Sequence, residues 1–357
     1  MVGDGFTTRP GETGAIMRIL VTGGAGFIGS NFIRHMLAEH PEHAITNLDK
    51  LTYAGNLENL KDVESLPNYA FIKGDICNNA LIESLEFDAI INFAAESHVD
   101  RSIFDAAPFL QTNVIGTQHL LDVARKRNCR LLHVSTDEVY GSIDWGFFTE
   151  ESSIMPNSPY AASKASSDLL VRAYHETFGL DLVVTRCSNN YGPYQFPEKL
   201  IPLVISNALQ GMTIPLYGDG QNVRDWIHVH DHCRAIDLVF HKAKAGQIYN
   251  IGGRNEQKNI DIVRRLLTLI AEKTGTDKDT LFDLVTFIKD RPGHDRRYAI
   301  DPTKIETVLG WKHETDFARG LSGTVDWYLA NRPWWNHILS GDYLSYYASQ
   351  YGTRLDT

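Results

Sequence analysis

Arg18-Ile19-Leu20-Val21-Thr22-Gly23-Gly24-Ala25-Gly26-Phe27-Ile28-Gly29 is the stretch whose reading decides the fold. A short apolar strand runs into a glycine turn, and the turn opens into a helix with apolar positions at Phe27, Ile28, Phe32, Ile33, Met36 and Leu37. Strand, glycine turn and helix in this order form a dinucleotide fingerprint. The glycines, Gly23, Gly26 and Gly29 among them, let the turn tighten, the backbone approach a pyrophosphate and the helix pack on the strand. The helix N-terminus supplies amides for the phosphate. The next strand, 44–48, ends at Asp49. An acid there, about 20 residues past the glycines, suits a ribose 2′-hydroxyl and repels a 2′-phosphate, so NAD is expected rather than NADP.

The alternation continues outward from the fingerprint. Strands are expected over 69–73, 89–93, 130–135 and 181–186, with helices over 108–127 and 158–178. This pattern predicts an α/β protein with a Rossmann-type doubly wound parallel sheet. Beyond Asn189-Asn190-Tyr191-Gly192-Pro193-Tyr194 the texture changes to prolines, Gly-Asp-Gly and short elements, as in a smaller mixed α/β substrate-binding domain. Residues 1–16 read as a flexible extension before Met17-Arg18-Ile19-Leu20. Residues 17–190 read as the dinucleotide-binding domain, to which the chain returns around 231–252, and 191–357 mainly as the substrate domain. An amphipathic helix is expected over 259–273, on Ile262, Leu266, Leu267 and Ile270.

The chemistry is concentrated between Val134 and Lys164. Ser135-Thr136-Asp137-Glu138 stands at the carboxyl end of a strand, the edge where ligands bind in open α/β sheets. Tyr160 and Lys164 are four residues apart on a helix and share a face. An ammonium beside a phenol favours the phenolate, so this pair predicts a base for hydride chemistry on an alcohol.

The 357 residues carry 34 basic and 44 acidic side chains, a net charge of −10, which argues against nucleic acid as the main partner. Cys77, Cys129, Cys187 and Cys233 are scattered and form no C-x-x-C motif, as in a protein of the reducing cytoplasm. No apolar run approaches the ~20 residues of a membrane span, and residues 1–16 lack the apolar core of a secretory signal. His228, His230 and His232 alternate beside Asp231 and Cys233, but Asp231-His232-Cys233 reads better as a helix cap, and no metal is expected. Arg224, Arg291, Arg296 and Arg297 suggest arginine forks on a second, diphosphate-bearing ligand. The aromatic residues Trp334, Trp335, Tyr343, Tyr346 and Tyr347 read as packing.

From about Met17 to Tyr347 the chain resembles the extended short-chain dehydrogenase/reductase family, and within it the nucleotide-sugar 4,6-dehydratases that act on dTDP-glucose. The resemblance is carried by Thr22–Gly29, by Asp49-Lys50-Leu51-Thr52-Tyr53-Ala54-Gly55-Asn56 and by Ala94-Ala95-Glu96-Ser97-His98-Val99-Asp100-Arg101-Ser102. Ser135–Gly141, Pro197–Pro202 and Asp290–Asp301 complete it.

The resemblance implies bound NAD, held additionally by Phe27, Ile28, Asp49, Lys50, Thr52, Asp75, Ile76, Ala94, Ala95, Thr112 and Asn190, with Lys164 on the nicotinamide ribose. For a nucleotide sugar it points to Ser97, Asn189, Lys199, Leu200, Tyr217, Arg224, Asn259, Arg291 and His294. It implies Tyr160 as base in C4 oxidation, Thr136 on the 4-oxygen, Glu138 as base at C5 and Asp137 as acid at the 6-hydroxyl. It also implies a homodimer built on the helices around 108–127 and 158–178. The rival readings are a UDP-sugar 4-epimerase or another 4,6-dehydratase of the same fold, and a non-catalytic NAD-sensing regulator, which has no need of the Tyr–Lys pair.

Overall fold

A computed structural model describes residues 16–339; the expected extension up to residue 15 and Tyr343, Tyr346 and Tyr347 lie outside the described residues. Twelve strands are present among these: β1 (Arg18–Thr22), β2 (Ala44–Asp49), β3 (Tyr69–Lys73), β4 (Ala89–Asn92), β5 (Arg130–Thr136), β6 (Leu182–Cys187), β7 (Asn189–Tyr191), β8 (Ile214–Tyr217), β9 (Val223–His228), β10 (Ile248–Ile251), β11 (Glu256–Lys258) and β12 (Val285–Ile288).

Seven of them form one sheet in the order β10-β6-β5-β4-β1-β2-β3, and every pairing in it is parallel. β4, β5 and β6 are buried along their whole length. Helices cover both faces of a parallel sheet, which is why these strands read as continuous apolar runs rather than alternations. One face packs the Phe27–Glu39 and Val229–Lys242 helices through Phe32, Met36, Ile236 and Val239. The other packs the Thr117–Arg127 and Pro159–Phe178 helices through Leu120, Leu121 and Val171. The strand order reverses between β1 and β4, opening a crevice at the carboxyl ends of the strands.

The remainder forms a second core of Val204, Ile205, Ile262, Leu266, Leu267 and Ile270 beside the β11-β9-β7 and β12-β8 sheets. Each of those fully buried aliphatic side chains contributes about 1.5–3 kcal/mol of burial. The Asn259–Thr274 helix turns the predicted apolar face inward.

Two local expectations change. The helix expected over 108–127 is broken by a π-helical segment, Leu110–Gly116, before Thr117–Arg127. Such segments mark functional positions, and this one carries Thr112 and Asn113. Asp231 is not a cap: β9 ends at His228, which caps the Val229–Lys242 helix by accepting from the His230 amide at 3.3 Å. The strand therefore stops before the three histidines can share one face. The Asp231 carboxylate instead accepts from the amides of Glu314 and Thr315 at 3.0 and 2.9 Å.

Candidate active site

A cavity of about 310 Å³ opens at the carboxyl edge of the large sheet, lined from one end by Gly23, Gly26 and Asp49 and from the other by Thr136, Asp137, Glu138, Tyr160 and Lys164. All the residues expected to hold the cofactor line it: Phe27, Ile28, Gly29, Lys50, Thr52, Asp75, Ile76, Ala94, Ala95, Thr112 and Asn190 join the eight just given that were expected there or at the reaction centre.

The glycine turn fits a pyrophosphate. A Cβ at Gly23 would stand 2.5 Å from the Ala94 nitrogen, and one at Gly29 only 2.4 Å from the Gly23 oxygen, so both are demanded by packing. A Cβ at Gly26 would meet only the Gly23 oxygen, at 3.3 Å, and otherwise faces open cavity beside the first amides of the helix. Asp49 is buried and accepts from the Ala25 and Leu51 amides at 2.9 and 2.8 Å, which aims its remaining lone pairs at the cavity. Lys50 pairs with Asp75 at 2.7 Å. Buried oxygens of three lining residues, Ser135 Oγ, Asp137 Oδ2 and Gln195 Oε1, have no hydrogen-bond partner within the protein. These orphans and the open turn suit a polar ligand such as a dinucleotide.

Side chains far apart in sequence are clamped around the reaction centre. Asn113 accepts from the Glu96 amide at 2.9 Å and donates to the Glu96 carbonyl and to Ser163 Oγ at 3.0 and 2.8 Å. It thereby ties the β4 loop to the helix bearing Tyr160 and Lys164. Ser102 Oγ accepts from the Tyr160 amide at 3.1 Å. Lys164 Nζ donates to the Val134 carbonyl at 2.8 Å and lies 3.4 Å from His133 Nε2.

The expected depression of the Tyr160 phenol by Lys164 is not what the geometry produces. Burial and the Glu138 carboxyl hold the phenol well above its ordinary value, while burial pushes the Lys164 ammonium down to about 8. The lysine charge is directed at a backbone carbonyl, and the nearest acidic groups act against the phenolate.

The two carboxyls after Thr136 are driven apart. Burial, then Glu138 and then Asp225, push Asp137 well above the carboxylate range. Burial also raises Glu138, but Arg291, Arg224 and Lys199 oppose it. The two environments therefore favour a proton on Asp137 more than on Glu138.

Of the residues expected to hold a sugar nucleotide, Ser97, Asn189 and Lys199 line the cavity. Lys199 Nζ donates to the Ser97 carbonyl at 3.0 Å, and Leu200 follows it as the first residue of the Leu200–Gln210 helix. Tyr217, Arg224, Asn259, Arg291 and His294 lie outside that lining. Arg291 and Tyr217 both bond Asp100, at 3.0 and 2.9 Å, and the His294 ring stands 6.0 Å from that of Tyr217. Arg224 stacks on Tyr298 at 4.2 Å, and Asn259 begins its helix with its amide on the Asn222 carbonyl. Arg296 and Arg297 are engaged elsewhere, by Asp219 and Glu256, so only Arg224 and Arg291 of the four arginines face the carboxyl pair.

Sequence reasoning missed Asp100, Asp225 and Glu198, a cavity carboxyl pushed up to about 7 by burial. Asp100 and Glu198 sit inside family-like runs and Asp225 beside Arg224; the carboxyl so close to an Arg or Lys in each was the available signal.

A family model described as GDP-mannose 4,6 dehydratase matches residues 20–324. The dTDP-glucose 4,6-dehydratase of Salmonella typhimurium is 50% identical over 363 residues, spanning 95% of this chain and 100% of that protein. The chain belongs to the dTDP-glucose 4,6-dehydratase family. DesIV, the dTDP-glucose 4,6-dehydratase of Streptomyces venezuelae solved with NAD and TYD bound, superposes with a TM-score of 0.85 at 53% identity, covering 90% of this chain and 100% of that one. The family's fold is shared more widely: UDP-glucuronic acid 4-epimerase of Bacillus cereus, solved with UDP-glucuronic acid and NAD, gives a TM-score of 0.79 at 27% identity, covering 88% and 99% of the two chains.

Proposed function

We propose that this dehydratase-family chain converts dTDP-glucose to dTDP-4-keto-6-deoxy-glucose and water. The observation that carries the reading is the Asp137–Glu138 pair just past the end of β5, with the Asp137 carboxyl pushed up by burial and by Glu138, and Glu138 itself biased by two arginines and a lysine. Oxidation at C4 alone needs neither carboxyl. Loss of water from C5 and C6 needs a base and an acid together.

The cofactor is NAD, and the residues that would hold it run from the glycine turn through Asp49 to Lys164. Bound there, NAD supplies the hydride acceptor and donor and, as NAD⁺, a positive charge that offsets the burial holding the Tyr160 phenol up. Tyr160 takes the 4-hydroxyl proton and Thr136 bonds the 4-oxygen. The C4 ketone acidifies the neighbouring C5 proton, and Glu138 removes it. Asp137 protonates the departing 6-hydroxyl, water leaves, and a proton finally returns to C5. Each proton transfer by a positioned group is worth about 10²–10⁴ in rate. Arg224, Arg291 and Lys199 orient the diphosphate and sugar.

The same reading takes the chain as a cytoplasmic homodimer. It is supported by exposed Leu110 and Ile115 on one helical stretch and Leu169 on the other, where a four-helix contact would cover them. The cysteines are free, and no helix among the described residues is long and apolar enough to cross a membrane.

Incubation with dTDP-glucose, UDP-glucose and GDP-mannose tests the assignment. The expected result is a 4-keto-6-deoxy product, seen by its absorbance in strong alkali, from dTDP-glucose in preference to the other two. Recovery of an epimerised hexose, or preference for another nucleotide, overturns it.

A further inference from the structure

We propose that His40, His43 and His241 form a binding site for a late first-row divalent cation, best matched by zinc, at the edge of the sheet opposite the active-site cavity. The Phe27–Glu39 helix ends at His40, His43 directly precedes β2, and His241 lies in the last turn of the Val229–Lys242 helix. These are the amino ends of the parallel strands, and none of the three residues lines the cavity. The catalytic reading gives them no role.

One ring nitrogen from each histidine falls within 4.8 Å of the others. The Nε2 atoms of His43 and His241 are 3.4 Å apart. That is the edge of a tetrahedron built on zinc–nitrogen bonds of about 2.0–2.1 Å, and it is long for a hydrogen bond between the rings. The surroundings match an imidazole metal site. Asp237 Oδ1 lies 2.7 Å from His241 Nδ1, which places the proton there and leaves the Nε2 lone pair free toward the other rings. Asp237 also bonds His40 Nε2 at 3.0 Å and His35 Nε2 at 2.8 Å. Glu42 stands 3.7 Å from His40 Nδ1 and 3.9 Å from His43 Nδ1, the nitrogen that accepts from the Met17 amide at 3.4 Å; a cation on His43 Nε2 would shift the ring proton to Nδ1, on the side where Glu42 can accept it.

Asp237 and Glu42 together carry two negative charges beside three imidazoles, a balance that a dication completes. Imidazole ligands select zinc, copper or nickel over magnesium and calcium. Water would take the fourth position, because His40 and His241 are each about a quarter exposed (26% and 25%). A cation there would tie the end of the cofactor-binding helix to the helix that follows β9.

The test uses the full chain after chelation and desalting. Zinc is titrated by calorimetry, cobalt(II) is followed by visible absorption, and thermal denaturation is recorded with and without zinc. The expected result is one equivalent of zinc, a raised melting temperature and the strong visible bands of four-coordinate cobalt. All three should be lost in His241→Gln and in His40→Gln, and retained in His230→Gln and His313→Gln, with dTDP-glucose turnover unchanged throughout. Circular dichroism checks that the variants fold, and if one of the two ligand variants does not fold the other decides. No binding to the wild-type chain, binding retained in either folded ligand variant, or binding lost in His230→Gln overturns the site.

Discussion

The Lys164 ammonium donates to the carbonyl oxygen of Val134 at 2.8 Å, so the helix that carries Tyr160 is bolted to the strand that ends at Thr136 and leads into Asp137 and Glu138. The lysine therefore has a positioning duty as well as a charge. Lys164→Met should lower turnover by about 10²–10⁴, the scale of an acid–base group. Lys164→Arg should rescue little, since a planar guanidinium does not match one buried carbonyl. Turnover at saturating dTDP-glucose, with circular dichroism to verify the fold, checks this; a Lys164→Met enzyme within a few-fold of wild type contradicts it.

Asp137 and Glu138 should separate cleanly in solvent deuterium. Asp137→Asn leaves the C5 base in place, so deuterium should still exchange into C5 of the oxidised sugar while water loss slows by about 10²–10⁴. Glu138→Gln should stop both exchange and water loss. Mass spectrometry of the recovered sugar nucleotide reads each outcome, and exchange at the wild-type rate in Glu138→Gln would remove that residue from its role.

Asp137 should also tax stability. Folding raises its pKa, so above about pH 4 the folded protein keeps a proton that the unfolded chain has released, and stability is lost as pH climbs from there toward the folded pKa. Asp137→Asn has no proton to hold. It should be more stable than wild type by about 1–3 kcal/mol near neutral pH, with the gain vanishing toward about pH 4. Thermal denaturation across that range measures it, and a gain that grows on acidification has the wrong sign.

The two glycines at the mouth of the first helix should fail differently. Gly26→Ala adds a methyl into open cavity, and should give a folded protein that purifies without NAD. Gly29→Ala drives a methyl to 2.4 Å from the Gly23 oxygen and should destabilise the fold itself by about 1–3 kcal/mol. Melting temperature and the nicotinamide content of the denatured supernatant distinguish them.

Asp100 accepts from both Arg291 and Tyr217. Asp100→Asn weakens a charge-assisted bond worth about 1.5–3 kcal/mol and lets Arg291 drift from the substrate side. KM for dTDP-glucose should rise about 10–100-fold with kcat within a few-fold. A fall in kcat at constant KM would place Asp100 in the chemistry instead.

How much of this was legible follows from the range of the forces involved. The fingerprint Gly23–Gly29, the strand–helix alternation and the Tyr160/Lys164 spacing are local: they depend on backbone geometry and on the helical repeat, and residues near in sequence specify them completely. Hence the doubly wound sheet, the glycine turn with Asp49 at the end of the next strand, and the Thr136-Asp137-Glu138 run at the carboxyl edge could be read from the chain alone. What escaped depends on distance through space. Whether Lys164 acts on the phenol or on Val134, and that Asp225 bears on Asp137 and Asp100 on Arg291, are set by burial and by partners far off along the chain. Electrostatic energy in a desolvated site varies with each ångström of separation. Those separations exist only once the sheet has brought β5, β9 and the Asp290–Asp301 run together, so the sequence by itself named the groups and the tertiary structure decided which of them stand close enough to bias one another.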